Sequence, residues 1–403
     1  MNIFVAILGL GLLVFVHEAG HFFTARAVGM TPRRFYVGFP PPLVRVRRKG
    51  TEYGIGAIPL GGYVKIPGMH RPAPSDLDGY FGRALAEKPQ LLAPLERVKR
   101  RLADGDMEGA RALLGEVEQA LQGADLSDAA RKAARKGLEE LRDGLGGDAY
   151  WRQRTWKKVA VIFAGPGTNL LFAIVLFFLL FLLVGGKATR TIDRVETGMP
   201  AQTAGLQPGD QILRVNGVPV KPDKISRTIT SSKGRPLTLT IRRGGTPIQI
   251  GPVRPKVVDG AYRLGFLLKA KPLGPAASFS QSLRLTGTVT KEIGASLGRL
   301  VRGSKKEVSS PVGIVEGSSQ AIQRGFDTYL WVLGFLSLSL ALLNLLPLLP
   351  LDGGHIAFSI IEGIRGRAVG REVYERVSAV GIALVLLLFF IGLSNDVGRI
   401  GGN

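Results

Sequence analysis

Cysteine is absent from the 403 residues. Its absence excludes disulfide frameworks, thiolate zinc sites and cysteine nucleophiles in any compartment, and leaves His, Asp and Glu as the metal ligands. Histidine is scarce as well, with four in the whole chain, so two of them close together carry information. Acid is the minority charge: 31 Asp+Glu stand against 53 Lys+Arg, a net charge of +22. In a soluble chain such an excess points to nucleic acid. Here long apolar runs redirect it, and no nucleic-acid partner is expected. The length suits two or three folding units.

Four runs reach the roughly 20 apolar residues that a bilayer crossing needs. Asn2 to Ala25 carries one acid, Glu18, and Val159 to Gly186, Thr328 to Leu351 and Val377 to Asn395 carry no charge. The first run has no basic start and no small-residue cleavage site before His17, so it reads as a span and not as a cleaved signal peptide. Arg33, Arg34, Arg45, Arg47, Arg48 and Lys49 follow the first span, Arg152, Arg154, Lys157 and Lys158 precede the second, and Arg365, Arg367, Arg371 and Arg376 separate the third from the fourth. Basic residues near span ends mark cytoplasmic loops, which places both termini outside. The long basic loop between the second and third spans is weak evidence on orientation. Its charge suits anionic headgroups or a solvated face equally.

Within the first span stands His17-Glu18-Ala19-Gly20-His21. On a helix, positions i and i+4 share a face, so both imidazoles can reach one metal ion, and Glu18, one step round, can reach a water beside it. A purely structural role is expensive, because three ionisable groups in an apolar span need a wet or metal-bound cavity. Tetrahedral zinc still lacks a protein ligand. The third span ends in Asn344-Leu345-Leu346-Pro347-Leu348-Leu349-Pro350-Leu351-Asp352-Gly353-Gly354-His355, where two prolines forbid regular helix and free carbonyls must face protein or a cavity. Asp352 is the candidate third ligand, helped by glycines that permit close backbone approach, and His355 is its rival.

These two motifs together resemble the site-2 protease family of intramembrane zinc metalloproteases. Four spans with one insertion between the second and third are similar to its bacterial branch, typified by the regulator of sigma-E protease. The resemblance implies zinc on His17, His21 and Asp352, Glu18 as general base, and Asn344 near the scissile carbonyl. It further implies a single-span membrane substrate, such as an anti-sigma factor or a signal-peptide remnant, and a bacterial inner membrane location with the active site toward the cytoplasm. Ala164-Gly165-Pro166-Gly167-Thr168-Asn169 also resembles a family signature; for Asn169 a helix-packing hydrogen bond and a functional role both stand open.

Alternation at Leu43 to Arg48 and Glu52 to Ile58, followed by Gly61-Gly62-Tyr63, predicts a hairpin. A substrate helix must unwind before cleavage, and a strand edge near Gly61, Gly62 and Tyr63 offers replacement hydrogen bonds; a structural hairpin is the alternative. The external loop, Lys187 to Asp327, contains Ile192 through Gly205-Leu206-Gln207-Pro208-Gly209-Asp210 to Gly217, which resembles a bacterial PDZ domain, with Leu264-Gly265-Phe266 similar to the carboxylate-binding loop of a circularly permuted version. It would hold a peptide C-terminus or act as a size filter. Pro275 to Arg302 reads as an amphipathic surface helix.

Pro89 to Asp148 departs from that pattern, with about three helical stretches whose apolar stripes, the first made of Leu92, Leu95, Val98 and Leu102, suit a small bundle. It would dock a partner or be inert. The fold class is a polytopic α-helical membrane protein with four transmembrane helices, a membrane-associated β-hairpin, an inserted PDZ-like α+β domain and a small cytoplasmic helical insertion. The expected boundaries are a first span with the zinc motif at 1–30, a β-loop at 31–70, the insertion at 71–158 and a second span at 159–186. Then come the PDZ-like domain at 187–272, an amphipathic region at 273–326, a third span at 327–355, and a cytoplasmic loop, fourth span and tail at 356–403. A divalent-cation transporter would need ligands in several spans, yet the second and fourth have none. An inactive PDZ scaffold would have no need of an intact metal motif.

Overall fold

Four helices are long and apolar enough to cross a membrane, namely Asn2–Ala27, Thr155–Val184, Phe326–Asn344 and Val373–Gly398, and at most a third of each apolar window is buried. Their remaining side chains face outward, as lipid contact requires. The structure, a computed structural model, describes residues 2–258, 260–303, 310–367, 369 and 371–400. The tail at 401–403 and residues 304–309 of the amphipathic region lie outside the described residues.

The chain opens with α1 (Asn2–Ala27), followed by the antiparallel strands β1 (Arg34–Arg48) and β2 (Thr51–Lys65). Both strands are bent. Arg34 to Val37 of β1 pair with Glu52 to Ile55 on one side and with Gly62 to Lys65 on the other. Gly38 (φ 89°) and Gly61 (φ 138°) occupy the bends, where an L side chain would be strained. The segment Gly62 to Lys65 is therefore paired along one side among the described pairings.

Five helices follow: α2 (Pro74–Glu87), α3 (Leu92–Ala103), α4 (Met107–Ala112), α5 (Leu114–Gly123) and α6 (Asp128–Leu145). Phe81, Leu95, Val98, Leu114, Val117, Leu138 and Leu141 form their shared core. Leu92, expected in the apolar stripe, is exposed instead, because Leu91 takes the buried position at the start of α3. A charge cluster ties this bundle to the hairpin. Asp143 of α6 accepts from Arg33 Nε at 2.7 Å and lies 2.9 Å from Lys65 Nζ, Glu140 takes the same ammonium at 2.8 Å, and Asp148 pairs with Arg33 at 2.9 Å. Burial alone would lower the Lys65 pKa; the bonds to Glu140 and Asp143 outweigh it and hold the ammonium above its ordinary value.

Asp143→Ala removes the carboxylate that Arg33 and Lys65 share, leaving each with one acidic partner, at a cost of about 1–3 kcal/mol once partial exposure is discounted. Amide exchange at 33–37 and 62–65 should then quicken by roughly 5- to 100-fold. Unchanged exchange there would mean that the cluster does not hold the strands.

The second span is α7 (Thr155–Leu179), which widens into a π-type turn at Leu180–Val184. Chain compactness separates two units, 1–173 with 289–403, and 174–288. The second unit contains β3 (Lys187–Val195), α8 (Pro200–Thr203), β4 (Gln211–Val215), β5 (Val218–Pro219), α9 (Ile225–Ser231), β6 (Leu237–Arg243), β7 (Thr246–Val253), β8 (Lys256–Val258), β9 (Ala261–Arg263) and β10 (Phe266–Lys271). Its antiparallel sheet has the order β10-β3-β4-β6-β7, with β5 on β4, and β8 pairs with β9. Strand alternation buries Leu237, Leu239 and Ile241 of β6 over Ile192, Ile212 and Leu264. Buried Asp210 is bonded by Arg243 at 2.7 Å and receives the Gln207 amide.

Then come α10 (Pro275–Val301), α11 (Pro311–Arg324), α12 (Phe326–Asn344), α13 (Asp352–Arg365) and α14 (Arg371–Ile400). On α10, Phe279 and Leu283 are exposed, while Ser278, Ser282, Thr286, Val289 and Ile293 are buried. The hydroxyls can turn inward because each bonds a main-chain carbonyl, of Leu273, Phe279 and Ser282 respectively, and that leaves the large apolar groups outside. In the first unit, the Tyr150 hydroxyl and Ser359 Oγ are 2.9 Å apart, and Lys158 of α7 reaches Glu362 of α13 at 3.1 Å. These bonds tie the middle and later part of α13 to Tyr150 and to the first turn of α7.

Candidate metal centre

Residues of α1 and α13 converge at one point. On α1, His17 and His21 are 7% and 6% exposed and present their Nε2 atoms 3.2 Å apart. Asp352 Oδ2 lies 3.1 Å from the first and 3.5 Å from the second. The carboxylate is carried by the opening residue of α13, where unpaired amides and the helix dipole favour negative charge. Regular helix stops at Asn344, and the turn through Pro347 and Pro350 folds back so tightly that a Cβ on Gly354 would lie 2.5 Å from the Leu349 nitrogen. A Cβ on Gly353 would collide with the Leu345 and Leu346 carbonyls. The two glycines are what allow the loop to deliver Asp352.

These atoms fit a zinc ion. Ligands about 2.0–2.1 Å from zinc in a tetrahedron stand about 3.3–3.4 Å from one another, and the three pairs, at 3.1, 3.2 and 3.5 Å, bracket that spacing. His21 Nδ1 is 2.8 Å from the Val161 carbonyl, so Nδ1 carries the proton and Nε2 offers its lone pair toward the shared point. Asp352 Oδ2 is buried without a hydrogen-bond donor. Lone pairs and a carboxylate facing one another repel unless a cation lies among them. Among the described residues, this is the one group of three or more such side chains close enough to hold a metal.

The convergence depends on a close crossing of α1 and α7. A Cβ on Gly20 would press on the Ala164 carbonyl and lie 2.5 Å from Thr168 Oγ1, and one on Gly165 would strike the imidazole of His21 and approach His17 Cε1 to 2.9 Å. Small residues at a crossing let backbones approach in a membrane; here they make room for the imidazoles. Gly165 and Asn169 are four residues apart on one face of α7, and both meet the histidines. From sequence the role of Asn169 stands open and Gly165 is not singled out; their i, i+4 spacing, in an uncharged run whose one amide side chain is Asn169, is the signal that could have found them.

A cavity of about 370 Å³ opens on the centre and is lined by His17, Glu18, His21, Asn344, Asp352 and His355, among others. His355 Nδ1 is 3.0 Å from the Tyr374 hydroxyl, and His355 is not in the converging group. Of the hairpin residues, Gly62 lies against Glu18, since a Cβ on it would fall 2.5 Å from Glu18 Cγ. Gly61 packs on the Phe39 ring. Tyr63 faces Tyr36 and lines a neighbouring cleft of about 360 Å³. The two cavities share Val64, Ile66 and Met69 as a wall.

Comparison with known proteins agrees with this chemistry. The profile of Peptidase family M50 matches residues 5–388. Zinc metalloprotease RasP of Shouchella clausii is 30% identical, the alignment covering 99% of this chain and 100% of that protein. Zinc metalloprotease RasP of Bacillus licheniformis is 28% identical over the same shares.

Proposed function

Because the chain belongs to peptidase family M50 and is an intramembrane zinc endopeptidase of the site-2 type, we propose that His17, His21 and Asp352 hold its zinc and that Glu18 is its general base. The carrying observation is the meeting of three ligand atoms from two separate helices, 3.1–3.5 Å apart, in a cavity that also holds Glu18.

When bound, zinc supplies Lewis acidity, lowering the pKa of a water toward about 7 and polarising a carbonyl. Glu18 takes a proton from the attacking water as its oxygen bonds to the scissile carbonyl carbon, and returns that proton to the departing amide nitrogen. Asn344, on the cavity wall, donates to the carbonyl oxygen as charge develops there. The bent hairpin supplies the substrate with what a bilayer withholds. An unwound segment in lipid loses its backbone hydrogen bonds, and the Gly62 to Lys65 segment, paired on one side, offers them again by strand addition. Gly62 against Glu18 brings such a segment to the reacting groups.

The substrate is a single-span membrane protein, cut within or near its span, such as an anti-sigma factor or signal-peptide remnant. Basic residues at the ends of the first and second spans support a cytoplasmic hairpin and insertion, with the six-stranded unit outside. We read that unit as PDZ-like, its loop at Leu264 to Phe266 either taking a peptide C-terminus or excluding bulky external domains. The test is purified protein reconstituted in lipid with a single-span reporter. Chelation should stop cleavage within the span, and added zinc should restore it. Cleavage indifferent to chelation would refute the proposal.

A further inference from the structure

The two histidine ligands are oriented by different means, and one of them depends on a single replaceable side chain. His21 donates a hydrogen bond from Nδ1–H to a main-chain carbonyl, that of Val161 at 2.8 Å, which no side-chain substitution removes. Among the described residues, His17 Nδ1 has the Asn169 carboxamide as its partner, with Nδ2 at 3.3 Å. Asn169 is fully buried in an uncharged span, where an amide without a partner costs several kcal/mol.

The chemistry decides which end of that amide serves His17. For Nε2 to offer a lone pair beside Asp352, a neutral imidazole must carry its proton on Nδ1. The group facing Nδ1 must then accept. A carboxamide nitrogen cannot, whereas Asn169 Oδ1 is buried and without a donor. A half-turn about the last side-chain bond exchanges the two ends, and Oδ1 then accepts from His17 Nδ1–H. The main chain of Asn169 is held separately, because Ser337 Oγ donates to its carbonyl at 2.8 Å. Anchoring α7 and orienting His17 are therefore divided between two parts of the same residue.

We infer that Asn169 is a positioning residue for zinc, accepting from His17 so that the ring presents Nε2 to the ion. This rests on the ligand assignment above, so the test reads the ion directly and not turnover. Full-length protein in detergent is titrated with zinc against a competing chelator. Asn169→Ala and Asn169→Leu, the second keeping the volume filled, should each weaken zinc about 10- to 100-fold, the usual loss when the partner of a ligating histidine is removed. Asn169→Asp retains the acceptor and should bind within about threefold of the parent. Ser337→Ala removes the main-chain anchor alone and should also bind within about threefold. Melting of the zinc-free proteins should be alike for the leucine and aspartate variants.

Parental affinity in Asn169→Leu would overturn the inference. So would an aspartate variant that loses as much as leucine, or a Ser337→Ala loss matching Asn169→Leu, since each would assign the effect to packing. Absence of zinc from the parent protein would instead sink the ligand assignment, which keeps the two failures distinguishable.

Discussion

Glu18→Gln should lower kcat for a membrane-embedded reporter by at least about 10³-fold while zinc stays bound at the parental level. Positioned proton transfer contributes roughly 10²–10⁴-fold, and Glu18 is asked to move the proton twice, from water and then to the departing nitrogen. Glutamine retains the side-chain length, so the contact with Gly62 survives, yet its amide has no basic lone pair to receive a proton. The loss should fall on kcat, with reporter binding near its original strength, because the interaction removed belongs to the transition state. Turnover by a zinc-loaded Glu18→Gln enzyme within tenfold of the parent would show that another group is the base.

Asp352→Asn should cost more in zinc than any neighbour outside the ligand set. It removes the one negative charge among the three converging side chains, and a loss exceeding about 100-fold is expected, beyond the range for residues that only support a ligand. His355→Ala is the informative companion. His355 lines the same cavity, but its Nδ1 stands 3.0 Å from Tyr374, and zinc should remain within about threefold. Zinc retained by Asp352→Asn and lost by His355→Ala would reverse the assignment.

Much of this site was legible in the linear chain because membranes make polar residues conspicuous. His17, Glu18 and His21 stand out from an otherwise apolar span, and helical spacing puts both imidazoles on one side. Asp352 was legible because Pro347 and Pro350 end the helix just before it. What could not be read is which surfaces meet. The crossing at Gly20 and Gly165 joins two helices far apart in the chain, and the placing of Gly62 beside Glu18 and the separation of Gly61 and Tyr63 from the cavity follow from bends at Gly38 and Gly61 in strands that alternation alone renders as straight. Arg33 reads as part of a basic stretch near the membrane, yet it is tied to Asp143, as is Lys65 at the end of β2. A charge count gives no register between a strand and a helix some 80 residues later. Leu92 failed for a smaller reason: adjacent leucines compete for one buried position, and periodicity does not say which wins.

X-ray absorption at the zinc edge of the purified chain tests the central claim most directly. One zinc per chain is expected, with two imidazole nitrogens and oxygen ligands at roughly 2.0–2.2 Å, and with one imidazole lost in His17→Ala. A shell lacking imidazole, or one that is the same with and without His17, would contradict the account.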